Sequence, residues 1–146
     1  MSDKIILASK SKVRKKILED NGIICTVEPA NIDEDLVKQS LINEGAPPSI
    51  ISKNLAELKA NKVSKKKNGE IVLGADSVID LNGEIISKPP NRKQAMEILK
   101  KLNGKKHHLI SSVCVSKNGS MIWNYTDKAG LTMKQMTDEK LKSYLS

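Results

Sequence analysis

The chain has 146 residues, with 25 lysines and arginines against 17 aspartates and glutamates, and a formal net charge of +8. This length suits one domain with a sizeable buried core. The charge favours an anionic partner such as a nucleotide, a nucleic acid or an anionic membrane surface. Aromatic residues make up only 2% of the chain. This scarcity argues against a single-strand nucleic-acid binder, because such proteins stack bases on aromatic rings.

The cysteines and the apolar runs indicate where the protein works. Cys25 and Cys114 form no CxxC pair, and we interpret them as reduced cysteines of a cytoplasmic protein. The apolar run near the N-terminus, residues 5–8, is too short for a signal peptide, and no apolar stretch reaches membrane-spanning length. The sequence therefore predicts a cytoplasmic protein with no membrane partner.

The first half of the chain alternates predicted strands and helices. KIILA reads as a buried strand, and Ser9 or Ser11 can cap the helix that follows it. IICTVEP predicts a second strand and DEDLVKQSLINEG a second helix. Pro47 and Pro48 then begin a longer helix, since proline suits the first helical turn.

The second half predicts antiparallel strands. EIVLGAD is the most apolar run and predicts the central strand, and Asn82-Gly83 and Asn118-Gly119 predict two hairpins. Between the hairpins, NRKQAMEILKKLNG predicts a helix capped by Asn91; LTMKQM and TDEKLKSYLS predict one more strand and a final helix. The whole pattern predicts a mixed α/β domain.

The loop after the first predicted strand is a candidate anion site. Helix N-termini bind anions through free backbone N–H groups and the helix dipole. Ser9 and Ser11 add hydroxyl donors, and Arg14 adds a planar guanidinium that matches phosphate oxygens. The alternative is that Ser11 only caps a helix whose basic residues face water.

Asp76 is a candidate for metal binding or proton transfer. It follows a buried β run within GADS, and we therefore expect it at the carboxyl end of a strand, where α/β proteins place their ligands. There Asp76 would hold a divalent metal or accept a proton from water. The alternative is a turn aspartate between two strands.

Two lysines and one acidic run are further candidates. Lys88 precedes two prolines that fix its surroundings, and Lys59 lies among small and apolar residues in AELKA. Each would neutralise phosphate, unless Lys88 is a solvated loop residue and Lys59 snorkels to the surface. The acids at 33–35 are possible metal ligands or partners of a helix dipole. The chain has no GxxxxGK[ST] motif, which excludes a P-loop enzyme.

Several stretches together resemble the Maf family, also called septum formation inhibitor proteins: LASKSKVRKKIL, AELKA, GADSVIDLNGEIISKPPNRKQAMEILKKLNGKKHHLISSV and LTMKQMTDEKLKSYL. The resemblance implies a single Maf-like domain over residues 1–146. It also implies an α/β fold with an elongated mixed central sheet, flanking helices and a cleft between two lobes, as in inosine triphosphatase.

The resemblance also implies an activity. Maf-like proteins hydrolyse a nucleoside triphosphate to the monophosphate and pyrophosphate with a divalent metal, usually Mg²⁺, with Mn²⁺ as the other candidate. They are often homodimers. The family's catalytic aspartate corresponds to Asp76, and its acidic metal ligand corresponds to Glu34. Its phosphate-contacting residues correspond to Ser9, Arg14, Lys59 and Lys88.

Two departures from the family pattern affect these expectations. The common loop SxSPRR reads SKSKVR here, so Val13 stands where the first arginine is expected. The resemblance implies that this position and Ser77 set base specificity. Members that prefer dTTP and UTP tend to carry arginine at the first of these positions. Val13 therefore indicates that this chain does not belong with the members that prefer pyrimidine nucleotides. The family pattern also continues past Ser146, so we expect a C-terminally shortened domain. The alternatives to an active enzyme are a non-catalytic nucleotide- or protein-binding module and, less favoured, a basic nucleic-acid-binding protein.

Overall fold

The computed structural model describes residues 5–9, 11–86 and 91–144. Within these residues the strands are β1 (Ile5–Leu7), β2 (Cys25–Val27), β3 (Ile71–Leu81), β4 (Glu84–Ile86), β5 (Lys106–Lys117) and β6 (Ser120–Thr132). The helices are α1 (Lys12–Asp20), α2 (Glu34–Asn43), α3 (Pro48–Ser64), α4 (Arg92–Leu102) and α5 (Asp138–Tyr144).

The strands form one mixed sheet in the order β2-β1-β3-β5-β6. The short strand β4 is outside this order and pairs with the last residues of β3. β1 runs parallel to β2 and β3, whereas β3, β5 and β6 pair antiparallel. Asn82 and Asn118 have positive φ angles of 51° and 53°, each followed by a glycine with positive φ. Two successive positive φ angles match the twist of short hairpins, so both predicted hairpins are confirmed.

Helix α3 covers one face of the sheet, which we call the α3 face. Its members on β3 and β5 are Val72, Gly74, Asp76, Val78, Ile110, Ser112, Cys114 and Ser116, all of them buried. Gly74 allows close packing, because a Cβ there would lie 2.8 Å from the backbone nitrogen of Ala60 and overlap the carbonyl oxygen of Ala56. The absence of a side chain at Gly74 therefore sets how closely α3 approaches β3.

Helix α1 lies on the opposite face, which we call the α1 face. Leu73, Ala75 and Ser77 of β3 point there, as do Ser111 and Val113 of β5, because neighbouring strand residues alternate between faces. Val13 and Ile17 of α1 are nevertheless 68% and 55% exposed. None of the nine residues of α1, a helix that the structure describes throughout, is fully buried, so this helix covers its face of the sheet only in part.

The structure corrects two other predictions about strands. β3 continues from Ile71 to Leu81, because its pairing with β5 runs unbroken through Asp76 and Ser77. Asp76 therefore lies in the middle of a strand, neither at its carboxyl end nor in a turn. LTMKQM is not a separate strand: Leu131 and Thr132 end β6, and the residues after them lead irregularly to α5.

No helix in the described part of the chain is long and apolar enough to cross a membrane.

Candidate active site

The loop between β1 and α1 holds a hydrogen-bonded group of three polar side chains. Ser11 is the N-cap of α1, and its Oγ accepts from the Arg14 backbone N–H at 3.2 Å. The buried Ser9 Oγ accepts from the Ser11 backbone N–H at 3.0 Å and from Arg14 Nη1 at 3.3 Å. The loop therefore fixes the guanidinium of Arg14 beside the first turn of the helix.

Lys59 joins two carboxylates on the α3 face. Its Nζ lies 2.5 Å from Glu34 Oε1 and 3.2 Å from Asp76 Oδ1, and it donates to the carbonyl oxygen of Ala75 at 3.2 Å. The side chains of Lys59 and Asp76 are each only 10% exposed, whereas that of Glu34 is 47% exposed. Lys59 therefore does not snorkel to the surface; α3 directs its charge inward to Asp76.

Asp76 retains one carboxylate oxygen for another partner. Its Oδ2 is buried and has no hydrogen-bond partner among the residues that the structure describes. Burial raises the pKa of Asp76 above its usual value of 3.8, and Lys59 opposes part of that rise. A carboxylate with a raised pKa and a free oxygen is suited to binding a cation or accepting a proton.

A polar cavity of about 620 Å³ connects these groups. It is lined by Ala8, Ser9, Ser11, Arg14, Ala30, Ile32, Asp33, Glu34, Asp35 and Lys59. Its cations, Arg14 and Lys59, lie on the wall formed by the opening loop and α3, and the start of α2 supplies the acidic wall. The Asp33 carboxylate also caps α2 by accepting from the Leu36 backbone N–H at 3.1 Å. The acidic residues 33–35 therefore lie where they could act either as metal ligands or as partners of the α2 dipole.

A second cavity, of about 240 Å³, lies on the α1 face. Its lining is mainly apolar and includes Leu7, Ile17, Leu18, Leu73, Ala75 and Val113. Arg14 lines both cavities, so they meet at its side chain. Ser77 and Asp76 both line the second cavity, but the Asp76 carboxylate is hydrogen-bonded to Lys59 on the other face.

Not every predicted site residue joins this group. Val13 is exposed and lines neither cavity. Lys88 lies outside the described residues. Ser111, which the sequence did not single out, lines the second cavity, and its Oγ lies 2.9 Å from that of Ser77. The only sequence signal for it would have been the pairing register of β3 and β5, which a single sequence does not show.

The donor set suits a divalent cation. The described residues contain no group of three or more His, Cys, Asp or Glu side chains that would hold a metal by themselves. Asp76 Oδ2 is nevertheless a buried carboxylate oxygen without a partner, and Glu34 is the next carboxylate beyond Lys59. Mg²⁺ is commonly held by one or two carboxylates together with substrate phosphates and water. Glu34, which lines the polar cavity, and Asp76, which Lys59 joins to it, fit that pattern.

Comparison with known proteins identifies the family. The model of the family described as Maf-like protein matches residues 4–146. The chain belongs to the Maf family. It is 69% identical over 145 residues to a nucleoside triphosphate pyrophosphatase of Pelagibacter ubique, a match that covers 99% of this chain and 74% of that relative. It is 38% identical over 136 residues to a 7-methyl-GTP pyrophosphatase of Brucella abortus, covering 93% and 68% of the two chains.

A solved structure supports the fold of this Maf-family chain. The nucleoside-triphosphatase, or dITP/XTP pyrophosphatase, of Mycobacterium abscessus matches with a TM-score of 0.50 at 14% identity. The match covers 87% of this chain and 71% of that one. At this identity the likeness concerns the fold alone, and it confirms the predicted α/β fold class.

Proposed function

We infer that the protein is a nucleoside triphosphate pyrophosphatase, which hydrolyses a nucleoside triphosphate to the monophosphate and pyrophosphate. The single observation that carries this inference is Lys59, which lines the polar cavity together with Arg14 and Ser9 and pairs with the buried carboxylate of Asp76. The relative from Pelagibacter, 69% identical over nearly the whole chain, is named for this activity.

The polar cavity suits a triphosphate because it combines cations and hydroxyl groups. Arg14 offers a guanidinium fork, Lys59 a point charge, and the loop at Ser9 and Ser11 hydroxyl groups. Phosphoryl transfer depends mainly on positioning and on neutralising charge, and it needs no protein nucleophile. These residues therefore supply what the reaction requires from the chain.

The reaction breaks the bond between the α-phosphorus and the oxygen that bridges to the β-phosphate. A water oxygen bonds to the α-phosphorus, pyrophosphate leaves with the bridging oxygen, and the water proton passes to a base. Asp76 Oδ2 is the unpartnered carboxylate oxygen that would orient this water or accept its proton. Lys59 holds Oδ1 and so fixes the direction of Oδ2.

We propose Glu34 and Asp76 as the residues that would hold a divalent cation, Mg²⁺ or Mn²⁺. When bound, such a cation supplies charge neutralisation on the phosphates and lowers the pKa of a coordinated water. Neutralising Asp76 also removes the cost of burying its charge, which is the cause of its raised pKa.

The location and the assembly are proposed on separate grounds. Cys25 and Cys114 are both buried and free, which suits the reducing cytoplasm. β6 is a 13-residue strand at the edge of the sheet, and it exposes a stacked Trp123 and Tyr125. Such an edge favours pairing with another chain, and we propose a homodimer. Light scattering at several protein concentrations tests this assembly.

Pyrophosphate release with Mg²⁺ from a panel of canonical and modified nucleoside triphosphates tests the activity. Asp76→Asn should reduce turnover by about 10²–10⁴-fold, the usual contribution of a general base. Asp20→Asn, an exposed aspartate at the end of α1, is the matched control and should leave the rate unchanged. Nucleotide binding without release by the folded protein would instead favour the non-catalytic binding module, and no binding would contradict both.

A further inference from the structure

The cavity on the α1 face is not explained by phosphate chemistry. Its walls are mainly apolar, and its 240 Å³ is below the roughly 300–1,000 Å³ of pockets that hold a whole ligand. It meets the polar cavity at Arg14. A ligand with a charged half and an apolar, planar half would fill both cavities at once.

Ser77 and Ser111 line this cavity and begin a row of polar side chains that continues across the sheet, beyond the residues that line the cavity. Ser77 and Ser111 are paired across β3 and β5, and their Oγ atoms lie 2.9 Å apart. Ser111 is paired in turn with Asp127 on β6. Paired residues share a face, with Cβ atoms about 4.5–5.5 Å apart, so Asp127 continues the row from Ser77 and Ser111. Asp127 is exposed, and its carboxylate is available to a ligand.

We propose that Asp127 is a specificity residue that reads the edge of the nucleobase, and that Ser111 is a positioning residue that holds Ser77 in the same row. This proposal rests on the proposed function, because it places the base of the same substrate in the cavity beside Arg14. Ser111 acts by holding the Ser77 hydroxyl in the cavity wall, and Asp127 acts as a charged acceptor at the far end of the row.

The carboxylate predicts which bases are favoured. Guanine presents two neighbouring donors, the N1–H and the 2-amino group, which a carboxylate accepts together. Uracil and thymine place a carbonyl oxygen on each side of their single N–H, and adenine and cytosine place a bare ring nitrogen beside their amino group. Each of these bases would bring a lone pair against Asp127, and an unpaired or repelled polar group weakens binding strongly. The row therefore favours guanine-type bases.

The test compares GTP with ITP, which differ only in the 2-amino group. The wild-type protein should prefer GTP by about tenfold in kcat/KM, a modest value for a hydrogen bond to a charged acceptor. Asp127→Asn should reduce this ratio to near one, with the change in KM and not in kcat. Ser111→Ala should raise KM for GTP severalfold, and the double variant Ser77→Ala/Ser111→Ala should lose no more than the larger single variant, since the hydroxyls act as a pair.

Matched controls separate recognition of the base from general damage. Ser120→Ala and Asp20→Asn change exposed residues that lie outside both cavities and outside the row of Ser77, Ser111 and Asp127, and they should keep the wild-type ratio. Binding of inorganic tripolyphosphate, measured by calorimetry, should be equal in the wild type, Ser111→Ala and Asp127→Asn, because this probe has no base. An equal GTP-to-ITP ratio in the wild type and in Asp127→Asn would overturn the proposal.

The two proposals fail in different ways. If no nucleotide is hydrolysed, the pyrophosphatase proposal fails, and the base preference is then measured by calorimetry with GTP and ITP. Tighter binding of GTP that is lost in Asp127→Asn would still support the row as the base site. If hydrolysis is normal but insensitive to Ser111→Ala and Asp127→Asn, the specificity proposal fails while the pyrophosphatase proposal stands.

Discussion

The two faces of the sheet differ in how tightly they are covered and in what chemistry they carry. α3 packs closely on its face and buries eight of its own residues, among them Lys59. None of the nine residues of α1, all of them described, is fully buried. The closely packed face holds a buried ion pair, whereas the loosely covered face has room for a mainly apolar cavity.

One strand serves both faces. Asp76 and Ser77 are neighbours on β3, and the alternation of side chains sends the first to Lys59 and the second to the cavity on the α1 face. The proposed catalytic residue and the proposed specificity residue therefore lie one residue apart while their side chains occupy different environments. Substitutions on one face should therefore leave the environment of the other face unchanged unless they displace a shared element.

The largest effect is expected when the ion pair on the α3 face is broken. Lys59→Met leaves the Asp76 carboxylate buried without its partner, which should cost about 3 kcal/mol of stability at neutral pH. Pyrophosphate release should fall about 100-fold or more, as when one preorganised donor is lost. Chemical denaturation and steady-state kinetics measure the two effects.

Lys66→Met is the control for Lys59→Met, because Lys66 is exposed just beyond the end of α3. It should change stability by no more than about 0.5 kcal/mol. Equal losses in the two variants would show that the pairing of Lys59 with Asp76 contributes nothing particular to the fold.

A smaller loss is expected from filling the space between α3 and β3. Gly74→Ala would press a methyl group against the backbone of Ala56 and Ala60. Overpacking of this kind costs about 1–3 kcal/mol, and displacing α3 should also move Lys59 and slow hydrolysis. Thermal unfolding and pyrophosphate release measure both consequences.

Gly130→Ala tests whether any alanine in the sheet would act as Gly74→Ala does. A Cβ at Gly130 would lie 3.4 Å from its nearest neighbour, the flexible side chain of Lys106. We expect stability close to that of the wild type and unchanged activity. A loss as large as that of Gly74→Ala would refute close packing as the cause.

The raised pKa of Asp76 predicts a pH-dependent change in stability. Between the usual value of 3.8 and the raised pKa of the folded state, the folded protein binds more protons than the unfolded chain. The contribution of Asp76 to the free energy of unfolding is therefore greatest below pH 3.8, and it is lost as the pH rises through the raised pKa of the folded state. Metal-free Asp76→Asn should be more stable than the wild type at neutral pH, and the difference should vanish in acid.

Urea denaturation of both proteins in the presence of a chelator, from acid to neutral pH, measures this difference. Asp20→Asn, whose aspartate is exposed, serves as the control and should show no such pH dependence. If Asp76→Asn were less stable than the wild type at neutral pH, the pairing with Lys59 would outweigh the cost of burial.

Local features of this fold were predictable from the sequence, and long-range ones were not. The cap at Ser11, the two Asn-Gly turns and the start of α3 at Pro48 depend on neighbours within four residues. The small and apolar residues around Lys59 indicated that its side chain lies at the edge of the buried core. Its partner could not be read from one sequence, since the contact with Asp76 spans 17 residues.

The errors have the same physical origin. Asp76, in the GADS stretch that begins at Gly74, was expected at the carboxyl end of a strand, but the strand continues because β5 pairs with it on both sides of Asp76. The glycine instead accommodates α3. The specificity role of Val13 stays a prediction, and the structure leaves its side chain exposed and outside both cavities. Ser111 was overlooked because its role depends on the register between two strands.

The smallest effect is expected at the loop that the two faces share. Ser11→Ala removes the hydroxyl that caps α1 and accepts from the Arg14 backbone N–H, at a cost of about 1 kcal/mol. Because Arg14 lines both cavities, loosening the first turn should also raise KM for every nucleotide, whatever its base. Thr137→Ala removes a similar cap at the start of α5 and should cost comparable stability with no change in KM. If the two variants had the same KM, the first turn of α1 would not position the arginine, and the two cavities would have to be joined by another group.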